Sequence, residues 1–470
     1  MKRVSHMKKN QRMAIVSSYF EGESYGLLGP QMAATIIEQN TDYECIVITV
    51  TNADDKSLFK KHLSDYFGRQ TPVIGFSSLS GREDLFSFAK ELKDEGAITI
   101  LAGPQAYPDY IGEIRWNEHP HRFKGVSDCF SFSLRGPAEQ AIPLLKNISN
   151  KEIWASSPGV TLIVQEDHVI TNNTKAWDEA CLRSVNWNNL HRIGKDGLSP
   201  IKITTGQVLQ QIGCPYAAGD RWIDVDYPSG IENKEKEKIR ILAKGCSFCD
   251  VATDKGFYGE LDMDTVLSQI SCLPEHENGR KIPFELINEN PLFSLPRLLR
   301  EARKNNISLS QINLILRADY FLKGEARIRE SLLIAQEAGI NIVISSMGFE
   351  AFDDTLLLNF NKGIDVETNM KAIRLMRDLK NEFGDAWGYS RAEGAIHGFI
   401  HPTPWDTNDT DSNTQRNIAI YGLERDILPP HSTPLIIHHA CALADWIREV
   451  EDREGIRYKR YGSVIGWWAT

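Results

Sequence analysis

The stretch IRILAKGCSFCDVA (residues 239–252) decides how the rest of the chain is read. Its apolar, β-branched start reads as a strand. It runs into two cysteines, Cys246 and Cys249, with Phe248 immediately before the second. Two thiolates in one turn can face a common ion. Zinc normally takes four N or S ligands, and no second C-x-x-C follows. A dithiol redox pair at a helix start is another reading. A third is an iron–sulfur cluster: three thiolates hold a four-iron cube and leave one iron open to a small chelating molecule.

Strands and helices alternate on both sides of this stretch. Downstream, IPFELINENP, QINLILRADY, INIVISSMGFE and GAIHGFIHPTP read as strands, separated by amphipathic segments such as LPRLLREARKNN and ETNMKAIRLMRDLKNEFG. Upstream, QVLQQIGC reads as a strand ending at Cys214. Successive β–α units predict a full or partial parallel (β/α) barrel over 201–410, with a polar, charged insertion at 215–240. Chemistry in such barrels gathers at strand C-termini, where this chain carries Cys246, Glu289, Arg317, Asp319, Glu350 and His401. Residues 1–150 show an earlier series of the same kind, with MAIVSS, YECIVITV, PVIGFSSL and AITILAGP as strands. It predicts a parallel sheet with helices on both faces and ligands beyond the strands' carboxyl ends. Residues 151–200 read as a connector containing a hairpin (VTLIVQ and HVITNN). Residues 411–470 read as a helical extension, with His438 and His439 on a helix through HSTPLIIHHACALADWIREV.

The bulk numbers set limits. A chain of 470 residues exceeds one ordinary core. A net charge of −10 argues against a nucleic-acid or anionic-membrane binder. No apolar run reaches the roughly 18 residues of a membrane span, and the polar start up to Met13 lacks the apolar core of a signal peptide. The expectation is a cytoplasmic protein whose eight cysteines are mostly reduced.

The cysteine stretch resembles the radical S-adenosylmethionine (SAM) superfamily, whose usual signature is C-x3-C-x2-C with an aromatic before the last cysteine. Phe248-Cys249 fits its end. The residue expected to be the first cysteine is Leu242, which cannot ligate. IGCPYA around Cys214 reads like the start of such a signature and KGCSFCDVA like its end, so the third ligand is expected to be Cys214, with Cys272 in reserve. The run GFEAFDDTLLLNFNKG is similar to a superfamily segment, G-x-E-S followed by L…N-K-G, with Ala351 in place of Ser. The resemblance implies a 4Fe-4S cluster on Cys214, Cys246 and Cys249. It implies SAM bound near Phe248, Asn288, Glu289, Asn290, Arg317 and Glu350, and reductive cleavage of SAM to methionine and a 5′-deoxyadenosyl radical. Where relatives often carry G-x-P-G-E this chain has His401-Pro402-Thr403-Pro404-Trp405, and His401 and Tyr389 are the candidates for catalysis.

The first domain resembles the Rossmann-like, cobalamin-binding domain of the cobalamin-dependent subgroup. VIGFSSLSGRE, LAGPQA and RGPAEQA are in the style of its ligand-facing loops. The residues implied are Ser17, Ser77, Ser78, Leu79, Gly103, Pro104, Gln105, Gly136 and Glu139. The first strand–helix loop, YFEGESYGLLGP, contains no His to ligate cobalt. The implied activity is methyl transfer to an unactivated carbon or phosphorus of a small molecule or peptide, with a flavodoxin or ferredoxin as electron donor. The alternatives are radical cyclisation, ring contraction or sulfur insertion, or a zinc-stabilised binding protein.

Overall fold

The computed structural model describes residues 10–469 except 79, 80, 127, 166, 167, 233, 235, 236 and 250–256. The chain divides into two compact units. The first ends at Gly206 and includes Tyr461–Ser463, and the second comprises Gln207–Arg460 and Val464–Thr470.

In the first unit β1 (Gln11–Ser18), β2 (Tyr43–Val50), β3 (Val73–Ser77), β4 (Ile98–Leu101) and β5 (Phe132–Leu134) pair in parallel in the order β5-β4-β3-β1-β2. β1 and β2 read as almost unbroken apolar runs because nearly all their residues are buried, as strands covered on both faces must be. Right-handed crossovers put α1 (Leu28–Asn40) on the opposite face from α2 (Lys56–Phe67) and α3 (Glu83–Asp94). In agreement, the cluster containing Phe59, Leu63, Phe67, Phe88 and Leu92 includes α2 and α3 residues and none of α1. The order reverses between β1 and β3, the usual ligand crevice of such sheets.

Residues 151–200, expected as a connector, contain four strands of this same sheet. β6 (Val160–Gln165) and β7 (His168–Thr171) extend it antiparallel beyond β5. β8 (Leu190–Ile193) pairs in parallel with β2, and β9 (Leu198–Pro200) closes that edge.

In the second unit β10 (Gly206–Leu209), β15 (Phe284–Ile287), β16 (Gln311–Leu316), β17 (Asn341–Glu350) and β18 (Trp387–Gly388) follow one another across a sheet, and β19 (Gly398–Phe399) also pairs with β17. The neighbours from β15 to β19 are parallel. QVLQQIGC is two strands rather than one. It breaks at Gln210, and β11 (Gln211–Gly213) leaves the sheet to pair with β14 (Phe257–Glu260).

The strand before Cys246 also departs from expectation. β13 (Lys238–Lys244) is no part of the parallel sheet and forms an antiparallel hairpin with β12 (Asp220–Asp226). Its residues alternate exposed and buried along the whole length, the pattern of a strand with one wet face. Opposite charges face each other at Asp220–Lys244, Asp224–Arg240 and Asp226–Lys238, pairings that favour this register. The hairpin's inner face (Val225, Ile239, Ile241) packs with Leu357, Phe360, Trp405, Trp446 and Ile447 in one core. Trp405 and Trp446 both donate their indole N–H to the carbonyl of Asp226, at 2.9 and 3.0 Å. The insertion and the C-terminal segment are therefore structural parts of the second unit.

His438 and His439 are not on a helix. β20 (Ile437–His438) is a strand pairing with β22 (Val464–Gly466), and the helix begins later, at Ala442. Among the described residues no helix is long and apolar enough to cross a membrane.

Candidate functional site

The hairpin turns a long sequence interval into a short loop. Pairing of Asp220 with Lys244 closes its base, so the segments carrying Cys214 and Cys246 leave the same end. The gap between them is tight: a side chain on Gly245 would put its Cβ 3.1 Å from that of Ala217. Cys214, Cys246 and Cys249 are half-buried and outside any disulfide. Burial, with Glu289 and then Cys246 nearby, pushes the Cys214 thiol up, against the backbone N–H groups of Tyr216 and Ala217.

One segment, residues 359–363, fastens both arms. Asn361 donates to the carbonyl of Gly245 at 2.6 Å, and its own carbonyl accepts from the Tyr216 hydroxyl at 2.9 Å. Ser247, fully buried between the two cysteines, donates its amide to Phe360 and its hydroxyl to Asn359. Its carbonyl accepts from the amide of Leu443. Gly363 is required here: its φ is +69°, and a Cβ would lie 2.4 Å from the Tyr216 hydroxyl. Phe248 packs edge-on against Phe360.

The parallel strands deliver the charged residues. Arg317 follows β16 and is almost fully buried. Its guanidinium lies 3.9 Å from the Tyr216 ring centre and donates to Asp319 at 3.0 Å, to the Lys362 carbonyl at 2.6 Å and to the Cys246 sulfur at 3.6 Å. Glu350 ends β17 with φ +61°, a left-handed backbone that a non-glycine residue rarely adopts. The buried Asn369 holds that turn by donating to the carbonyls of Phe349 and Ala351, each at 3.1 Å. The Glu350 carboxylate then meets Lys362 at 2.9 Å, with side-chain exposures of 13% and 5%. Gly348 and Gly398 leave the room: a Cβ on either would lie within 2.7 Å of a Glu350 carboxylate oxygen. Burial alone would depress the Lys362 ammonium, but Glu350 and Cys246 outweigh it and raise it.

The remaining expected SAM residues divide. Asn288 is buried and committed to Gln210 and Glu260. Burial raises the Glu289 carboxyl, while Lys362 and Arg317 pull it down. Asn290 keeps a buried side-chain oxygen without a partner among the described residues. Sequence reading passed over Tyr216, Ser247, Asn359, Asn361, Lys362 and Asn369. Lys362 lay inside the quoted N-K-G segment, the one signal that could have found it.

The catalytic candidates sit elsewhere in the second unit. His401 is 45% exposed and pairs with Asp406 at 3.2 Å. Tyr389 is buried and donates its hydroxyl to Asp426, which Arg377 also clamps. Both His397 and Trp405 are buried. His397 accepts from the Met347 amide at Nδ1 and meets the Tyr389 carbonyl at Nε2, and burial holds its pKa down to about 4. A folded pKa below the unfolded value of 6.5 means that stability is intact at neutral pH and drains away as pH falls from 6.5 towards 4. The expected loss by pH 5 is about 2 kcal/mol. Urea midpoints at pH 7 and pH 5 read it out, and His397→Gln should flatten the difference.

In the first unit the ends of β1, β3 and β4 meet at the β1/β3 crevice. Ser17 donates to the Ser77 carbonyl at 2.9 Å. Gly103 has φ +84°, and a Cβ there would lie 2.6 Å from the Ser77 hydroxyl. The Ser78 hydroxyl is buried without a partner among the described residues, and Gln105 is buried. Pro104 adjoins them, and Leu79 lies outside the described residues. Gly136 and Glu139 do other work: Gly136 is packed against Gln140 and Thr174, and Glu139 accepts from the amide of Asp178. No protein-family model and no curated protein matches this chain.

Proposed function

We propose that this chain is a radical SAM enzyme with a 4Fe-4S cluster on Cys214, Cys246 and Cys249. One observation carries the reading: the β12–β13 register, closed by Asp220 and Lys244, brings the segments of Cys214 and Cys246 to the same end of the hairpin, which supports reading them as the two halves of one interrupted signature. The donor chemistry supports it: three thiolates suit a four-iron cube with one open iron, whereas a structural zinc takes four N or S ligands.

The cluster, once loaded and reduced, supplies the electron that cleaves SAM. The chain's own residues hold and shield the reactants. The buried Ser247 and the 359–363 segment fix the cysteine loop. Glu289 and the Asn290 side-chain oxygen, without a partner among the described residues, offer a carboxylate and an acceptor beyond β15 for the amino group and ribose of SAM. Arg317 and Lys362 set positive charge beside Cys246.

The first unit suits a cobalamin: its parallel strands follow the doubly wound order 2-1-3-4-5, and Ser78 and Gly103 provide a hydroxyl unsatisfied among the described residues and a close backbone approach at the crevice. The resulting activity is methyl transfer to an unactivated carbon or phosphorus of a small molecule or peptide. An inert C–H bond offers no lone pair to a polar methyl donor, so a radical route is needed there. Anaerobic reconstitution with iron, sulfide and cobalamin tests both halves. The expected result is a brown protein with charge-transfer absorption, about one cobalamin per chain, and products heavier by one methylene unit. A colourless protein carrying one zinc would falsify the enzyme reading. A brown protein that ignores saturating cobalamin removes the methyl-transfer half alone.

A further inference from the structure

Arg317 does more than end a strand. It is among the most buried charged residues of the second unit, and every part of its fork is committed. Nε is held by Asp319, Nη2 by the Lys362 carbonyl, and the central carbon sits 3.9 Å from the centre of the Tyr216 ring. Those three contacts leave Nη1 a single direction, towards the Cys246 sulfur at 3.6 Å. Lys362, whose carbonyl anchors Arg317, is itself buried and ion-paired with Glu350, as Arg317 is with Asp319.

Resting on the cluster reading above, we infer that Arg317 is a positioning residue that raises the cluster's reduction potential through its hydrogen bond to Cys246. Reduction adds one electron, and hence one negative charge, to the cluster. The guanidinium is permanently protonated, so no proton follows the electron. A fixed donor and a fixed cation at a ligand sulfur favour the more negative, reduced state, as hydrogen bonds to sulfur and net charge do in iron–sulfur proteins generally. Arginine suits the task because its planar fork can be fixed by three partners while the fourth edge points at the sulfur, which a lysine ammonium cannot reproduce.

The test is the midpoint potential of the reconstituted full chain, followed by EPR in a redox titration, with iron content measured on the same samples. Arg317→Met should hold iron and shift to a more negative midpoint. Arg317→Lys, which keeps the charge and is the gentler change, should fall between it and the parent. If Arg317→Met does not fold, Arg317→Lys decides. Full iron with the parent's midpoint in the variant that folds overturns this inference and leaves the cluster intact. A parent chain that takes up no iron overturns both.

Discussion

Cys214→Ala is expected to lose its iron as completely as Cys246→Ala, whereas Cys272→Ala keeps the parent's full complement. Cys272 closes the helix Met263–Cys272 and takes no part in the hairpin-closed loop. Cys214 leads into the turn whose Tyr216 and Ala217 abut Arg317 and Gly245. Two thiolates leave two irons of a cube without protein ligands, so partial occupancy is not a stable compromise. Iron and sulfide assays after anaerobic reconstitution read the result, with circular dichroism to show that the variant is folded. Full iron in folded Cys214→Ala would end the split-signature idea.

Lys362→Met is expected to cost about 3–5 kcal/mol, because removing one partner of a buried ion pair strands the other charge. Here the stranded group is Glu350, held by Asn369 in a backbone conformation that keeps its carboxylate inside. The double variant Glu350→Gln, Lys362→Met should recover part of the loss, since no buried charge is left alone. Denaturant midpoints of the parent, the single and the double variant measure it. A single variant as stable as the parent shows that Glu350 can reach solvent, contrary to its 13% side-chain exposure.

Much of the fold was legible because periodicity carries it. The doubly wound sheet follows from unbroken apolar strands separated by amphipathic helices, and the parallel strands of the second unit from the same rhythm. β13 was misread although its sequence, KIRILAK, alternates charge and apolar residue in the way a half-exposed antiparallel strand must. Its end at a cysteine drew it into the barrel scheme instead. QVLQQIGC hid a change of sheet at Gln210, which no periodicity marks, because both halves are apolar enough to be strands. LIIHHACALAD continues into a true helix, and the earlier β-branched pair was absorbed into it. In the site, the cysteines and the strand-end residues Arg317 and Glu350 could be named from type and position. Tyr216 and Asn369 could not. Their importance lies in which distant carbonyl each reaches, and neither residue type nor position gives a sign of that.

The hairpin has one more consequence, for the order of events during synthesis. A contiguous cysteine signature can capture metal as soon as its few residues emerge. Here Cys214 and Cys246 come together only once Asp220 meets Lys244 and the inner face of the hairpin finds Trp446, late in the sequence. Under the proposed cluster reading, iron loading would thereby be a late step that only a completed second unit can perform.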